Sequence, residues 1–148
     1  MNKQMDIFLA EDDLDDFLFF QEALQKANPN CNLARAANGL ECINKLKEGY
    51  KPAVIFLDLN MPYRNGLDCL KIIRESEDLA DLPVIIYSTS HYIKHIDAAF
   101  KGGAHYYVVK PDSVDHLTVT INTALANLEE SKNQPLKENF VIRTFATA

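Results

Sequence analysis

Short apolar runs of strand length alternate along this chain with stretches whose apolar residues recur every three or four positions. That alternation of periods restricts the fold more than any other feature. The strand-like runs are Ile7-Phe8-Leu9-Ala10, Ala53-Val54-Ile55-Phe56-Leu57, Val84-Ile85-Ile86-Tyr87 and Tyr106-Tyr107-Val108-Val109, with a weaker one at Asn32-Leu33-Ala34-Arg35-Ala36. Runs that are apolar throughout are buried on both faces, as the strands of a parallel sheet must be. Helical spacing links Phe17, Phe20, Leu24 and Ala27, then Leu67, Leu70 and Ile73, and later Leu117, Ile121, Leu125 and Leu128. Punctuation falls between the segments, at Asn28-Pro29-Asn30, Asn38-Gly39, Gly49, Pro52, Pro83 and Gly102-Gly103. The order is strand then helix, repeated five times. It predicts a doubly wound, five-stranded parallel sheet with right-handed crossovers.

A chain of 148 residues with 47% apolar residues suffices for one such core. The pattern changes after residue 130, so the expected organisation is a domain over 1–130 and a C-terminal extension over 131–148. Within that extension Phe140-Val141-Ile142-Arg143-Thr144-Phe145 is expected to dock on its own domain or on a neighbour, since a free apolar tail invites aggregation. No window approaches a membrane span, and the opening Met1-Asn2-Lys3-Gln4-Met5 is too short and polar for a signal peptide. The odd, scattered Cys31, Cys42 and Cys69 fit a reducing cytoplasm, and Cys42 and Cys69 read as small core residues.

Charge is concentrated in one place. The net charge is −6, and five of the six positions 11–16 are acidic: Glu11, Asp12, Asp13, Asp15 and Asp16. Without them sixteen acids face fifteen bases, so the rest of the chain is nearly neutral. No basic patch offsets this, which argues against a nucleic-acid partner. Asp13, Asp15 and Asp16 read as cap and first-turn acids of the following helix.

Ligands of open parallel sheets bind beyond the carboxyl ends of the strands. Glu11 and Asp12 follow the first strand there, Asp58 and Asn60 the third, Ser88 and Thr89 the fourth, and Lys110 the fifth. Three carboxylates and one ammonium leave two negative charges on hard oxygen donors, which suits Mg²⁺ (or Mn²⁺) far better than zinc. A metal held by Asp12 and Asp58, with Glu11 acting through water, leaves room for a phosphoryl group. An Asp58 oxygen is then placed to attack phosphorus. Lys110 would neutralise the transferring oxygens, and Ser88 would donate to one of them afterwards. His91 and His95 lack a third ligand and read as surface residues. Phe19 is a candidate partner contact.

Four motifs in order, Ile7-Phe8-Leu9-Ala10-Glu11-Asp12-Asp13, Asp58-Leu59-Asn60-Met61-Pro62 with Gly66, Pro83 through Thr89, and Gly103 through Pro111, resemble the receiver domain of two-component response regulators. The resemblance spans roughly residues 5–128. It implies a flavodoxin-like (βα)5 fold with strand order 2-1-3-4-5. It also implies that Asp58 is the phosphoacceptor, with phosphohistidine on a sensor histidine kinase or a histidine phosphotransfer protein as donor. Glu11 and Asp12 then form the acidic pair, and the Asn60 carbonyl joins Asp12 and Asp58 on the metal. Ser88 (with Thr89 beside it) takes the hydroxyl-switch position, Tyr107 the aromatic-switch position and Lys110 that of the active-site lysine. A cis Lys110–Pro111 peptide is frequent in this family. Serine stands where threonine is commoner, and Glu11 where a first aspartate often stands.

The resemblance further implies a stand-alone, cytoplasmic receiver that signals to a downstream protein, and it allows a homodimer. Such a protein catalyses only its own phosphoryl transfer and hydrolysis. A phosphorylation-independent adaptor on the same fold is the alternative. A haloacid-dehalogenase-type phosphatase is disfavoured because Asn60 replaces its acidic proton donor. A flavodoxin-like nucleotide carrier is excluded by the acidic loop after the first strand.

Overall fold

The computed structural model describes residues 4–143. In chain order the elements are β1 (Asp6–Ala10), α1 (Leu14–Ala27), β2 (Asn32–Ala36), α2 (Gly39–Lys47), β3 (Val54–Leu57), α3 (Gly66–Glu75), β4 (Val84–Ser88), α4 (Ile93–Lys101), β5 (Tyr106–Val109) and α5 (Val114–Glu130). A 3-10 turn at Lys137–Asn139 and a short β6 (Val141–Ile142) follow. All pairings are parallel, in the order β2-β1-β3-β4-β5-β6.

Helix starts follow local chemistry. Asp13, Asn38, Asn65 and Ser113 each accept a backbone N–H three residues on, which caps α1, α2, α3 and α5. Tyr92 precedes α4 without a side-chain cap. Strand alternation divides the core into two layers. Phe8, Ile55, Ile86 and Tyr107 face α2, α3 and α4, meeting Ile43, Leu70, Ile73 and Ile96. Ile7, Leu9, Phe56, Ile85 and Tyr87 face α1 and α5, meeting Phe20, Leu24, Leu117 and Ile121.

The sheet has six strands rather than the five expected, although the order 2-1-3-4-5 is retained within it. The sixth comes from the C-terminal extension. An unpaired β5 would be an exposed edge, and Val141-Ile142 supplies the apolar, β-branched pair that covers it. Phe140 is fully buried, Val141 joins one core layer and Ile142 the other. The apolar run thus docks on its own domain. Thr144 and Phe145, the end of that run, lie outside the described residues, as do Met1–Lys3.

The Lys110–Pro111 peptide is trans, as is every other described peptide bond, so the expected cis bond is absent. Before proline the two isomers differ by only about 0.5–1 kcal/mol, and local packing decides between them. Among the described residues, no helix is long and apolar enough to cross a membrane.

Candidate phosphoacceptor site

The carboxyl ends of β1, β3 and β5 bring together residues far apart in sequence. The backbone fixes their register. Asp58 N–H donates to the Ala10 carbonyl, Glu11 N–H to that of Ala36, and Lys110 N–H to that of Ser88. Gly66 is required close by, because a Cβ there would lie 2.4 Å from the Asp58 carbonyl oxygen.

Ligand atoms of Glu11, Asp12 and Asp58 all lie within 4.8 Å of one another. Glu11 and Asp58 are buried while Asp12 is exposed. Asn60 N–H donates to Asp58 Oδ1 at 3.3 Å, which orients the carboxylate. Lys110 Nζ sits 2.7 Å from Glu11 Oε1, 3.1 Å from Asp16 Oδ2 and 3.4 Å from Asp58 Oδ2. It also lies over the Tyr87 ring, 5.1 Å from the centroid.

Electrostatics reflect the crowding. Burial pushes the Glu11 carboxyl up from 4.5 to about 7, with the Asp58 charge adding to it and Lys110 opposing. Burial likewise raises Asp58, against the pull of Lys110 and the Asn60 amide. Burial alone would lower Lys110, but its hydrogen bond to Glu11 and the charges of Asp58 and Glu11 leave it raised. A carboxylate held half-protonated near neutrality by burial and a like charge is one that a divalent cation would restore to its ionised form. The all-oxygen donor set therefore fits Mg²⁺ or Mn²⁺.

On the hydroxyl side of the site, Ser88 and Tyr107 both bond to the backbone of Ser90. Ser88 is buried, and its Oγ accepts the Ser90 N–H at 3.2 Å. Tyr107 is fully buried and points inward, its hydroxyl donating to the Ser90 carbonyl at 2.7 Å. Thr89 is exposed at the end of β4. Neither Ser88 nor Thr89 caps α4, which starts after Tyr92. His95 is partnered by Ser90, with 2.7 Å between Nδ1 and Oγ.

Sequence reasoning missed three contributors. Asp16 does lie in the first turn of α1, and its carboxylate also reaches Lys110. Its position four residues after Asp12, close behind the acidic pair, was the available signal. Tyr87 lies under the ammonium, and its hydroxyl is pushed up by burial and then by Glu11, Asp16 and Asp58. Arg35 on β2 donates to the carbonyls of Glu11 and Asp12 at 3.1 and 3.0 Å and so ties down the acidic loop. Neither Tyr87 nor Arg35 carries a sequence pattern that would mark it.

A doubly wound parallel sheet with this constellation at its carboxyl edge defines a response regulator receiver, and the family model for the response regulator receiver domain matches residues 7–122. The chain belongs to that family. It is 32% identical over 120 residues to the sensory transduction protein LytT of Oceanobacillus iheyensis, covering 80% of this chain and 48% of LytT. It is also 32% identical over 80 residues to the chemotaxis protein CheY1 of Helicobacter pylori, covering 54% of this chain and 64% of CheY1. The chain thus spans about half to two thirds of these curated relatives. Among solved structures, the phosphorylated cyanobacterial phytochrome response regulator RcpA superimposes with a TM-score of 0.76 at 26% identity, over 87% of this chain and 96% of that one. The Mn²⁺-bound response regulator Rcp1 gives 0.74 at 25% identity, over 88% of this chain and 99% of that one.

Proposed function

We propose that this protein is a phosphorylation-dependent switch in which Asp58 takes a phosphoryl group from a phosphohistidine on a sensor histidine kinase or a histidine phosphotransfer protein. The observation that carries this reading is the convergence of Glu11, Asp12 and Asp58 with the Lys110 ammonium at one edge of the sheet. An Asp58 oxygen attacks phosphorus, the P–N bond breaks with its electron pair going to the ring nitrogen, and the donor imidazole, protonated on its other nitrogen, leaves neutral. Lys110, already within 3.4 Å, offers its positive charge to the transferring oxygens. Mg²⁺ or Mn²⁺ bound by Asp12 and Asp58, with Glu11 and the Asn60 carbonyl, would supply further charge neutralisation. RcpA, a relative in fold, is phosphorylated, and Rcp1 is Mn²⁺-bound.

Ser88 then donates to a phosphoryl oxygen, and the change passes through Ser90 to Tyr107. The output is a protein contact in the cytoplasm rather than turnover of a separate substrate or binding of nucleic acid, in keeping with the net charge of −6. Incubation with Mg²⁺ and acetyl phosphate should add the mass of one phosphoryl group to the wild type and none to Asp58→Asn. If neither acetyl phosphate nor beryllofluoride perturbs the wild type, the phosphorylation-independent adaptor replaces this reading.

A further inference from the structure

Phe140 is the only residue of the extension, among those described, whose side chain is fully buried, and it is buried against the residue proposed as the aromatic switch. Its ring centroid lies 6.3 Å from that of Tyr107 and 5.1 Å from that of Phe100 on α4. Its carbonyl accepts the Tyr107 N–H at 3.1 Å. Just beyond it, Val141 pairs with Tyr107 and Ile142 with Val108.

The segment that delivers Phe140 is fastened at several points. His105 Nε2 meets the Lys132 carbonyl at 2.9 Å, and Gln134 Nε2 donates to the Phe100 and Ala104 carbonyls at 2.8 and 2.7 Å. The Lys137 ammonium pairs with Asp97 on α4 and lies 5.9 Å from the Phe100 ring centroid. These bonds run from residue 132 to residue 142 along one flank of the domain. They place an aromatic wedge between α4 and β5, on the outer side of the Tyr107 ring.

We infer that Phe140 is a positioning residue for Tyr107: by filling the space on its outer flank, it holds that ring inward with its hydroxyl on Ser90. A close-packed interior does not share volume, so outward rotation of Tyr107 requires Phe140 to leave. The extension therefore biases the switch toward the inward arrangement before any phosphoryl group arrives. This rests on the reading of Asp58 and Tyr107 given above. When the binding-competent conformer is a fraction of the population, apparent affinity falls by that fraction. On that reading a phosphoryl group or its mimic draws Ser88 toward it and opens space that Tyr107 fills by pointing inward, so release of the wedge should weaken binding of such a mimic.

The test uses the full chain with tyrosine side chains isotopically labelled, first without ligand. Wild type should show a single Tyr107 χ1 rotamer with nuclear Overhauser contacts to Ser90. Phe140→Ala should show rotamer averaging and lose those contacts, while Phe140→Leu, which refills much of the space, should restore them. An amide spectrum that is wild-type-like away from α4 and β5 certifies that each variant is folded. If Phe140→Ala is not folded, the comparison of wild type with Phe140→Leu and Phe140→Val decides, with averaging expected to rise as the side chain shrinks. An unchanged Tyr107 rotamer in folded variants overturns the inference.

Beryllofluoride with Mg²⁺ is then titrated. Phe140→Ala should bind about tenfold more weakly if the inward fraction falls to about one tenth. In a Tyr107→Ala background the same substitution should change the affinity little, since the residue it acts through is gone. Equal affinities in wild type and Phe140→Ala, with Tyr107 averaging, would remove the coupling to Asp58. A wild type that binds no beryllofluoride would instead overturn the phosphoacceptor reading while leaving the rotamer result to stand or fall on its own.

Discussion

Lys110 Nζ lies closer to Glu11 than to Asp58, at 2.7 Å against a carboxylate 99 positions away in the chain. Both side chains are nearly inaccessible, at 9% and 1% exposure. Removing one partner of such a pair strands the other, typically at about 3 kcal/mol or more. Lys110→Ala should therefore destabilise the fold, and the loss should depend on pH. Glu11, already raised from 4.5 to about 7, disfavours the folded state as it ionises on the way up through that interval. Without Lys110 the effect grows, so the variant should lose more stability near pH 8 than near pH 5.5, as measured by urea midpoints. The wild-type contribution of Lys110 itself is full below 10.5 and is lost only above it, outside that window. On the proposed mechanism, labelling at Asp58 should persist in Lys110→Ala while the structural response to it is blunted.

Asp16 competes for the same ammonium from a half-exposed position on α1. Its ion pair contributes little to stability, within about 1 kcal/mol. Its negative charge, however, lies against the ammonium that the proposed mechanism offers to an anionic donor. Asp16→Asn should leave the urea midpoint nearly unchanged and speed labelling by acetyl phosphate several-fold. A slower reaction would mean that Asp16 holds Lys110 in place rather than competing for it.

His105 provides a pH dependence away from the site. Its Nδ1 faces the Val84 N–H at 3.2 Å and Arg74 Nη2 at 3.2 Å, while Nε2 meets the Lys132 carbonyl. Burial lowers this imidazole below its ordinary 6.5, and the Arg74 and Lys132 charges lower it further while the Lys132 carbonyl opposes them. A histidine depressed in the folded state stabilises fully above the unfolded value. That stability is lost as pH falls below 6.5, where the unfolded chain takes up a proton the folded one refuses. Glu11 has the opposite sign, so the quantity to measure is wild type minus His105→Gln. That difference in unfolding free energy should shrink as pH falls from about 7.5 to about 5.5.

Tyr63 adopts φ +68° in the loop after Asp58, with its side chain 81% exposed. A non-glycine residue there carries a penalty of about 1–2 kcal/mol, against about 0.5–1 kcal/mol of backbone entropy that glycine would add to the cost of folding. Tyr63→Gly should thus stabilise the protein by about 0.5–1 kcal/mol in thermal or chemical denaturation. Slower phosphotransfer from a histidine donor, with unchanged acetyl phosphate labelling, would show that the exposed ring is kept for partner contact.

The sheet and its loaded edge were legible because burial on both faces leaves apolar runs, and because each functional group directly ends one of them. Glu11, Asp58, Ser88 and Lys110 could be placed at that edge on this basis. Asp16 was not, since an acid in the first turn of a helix has an adequate explanation in the helix dipole. The sixth strand escaped because Val141-Ile142 is too short for a periodic signal and acquires its role only from the open edge of β5. Tyr107 packs against Phe140, more than thirty positions on, and tertiary packing of that kind leaves no local mark.

Borohydride reduction of the protein after reaction with Mg²⁺ and acetyl phosphate tests the central claim most directly, because it converts an aspartyl phosphate to homoserine at the modified position. Peptide mapping should find homoserine at position 58 and nowhere else. Homoserine at Asp12 or Asp16, or none in a protein shown to be folded, would contradict the assignment of Asp58 as the phosphoacceptor.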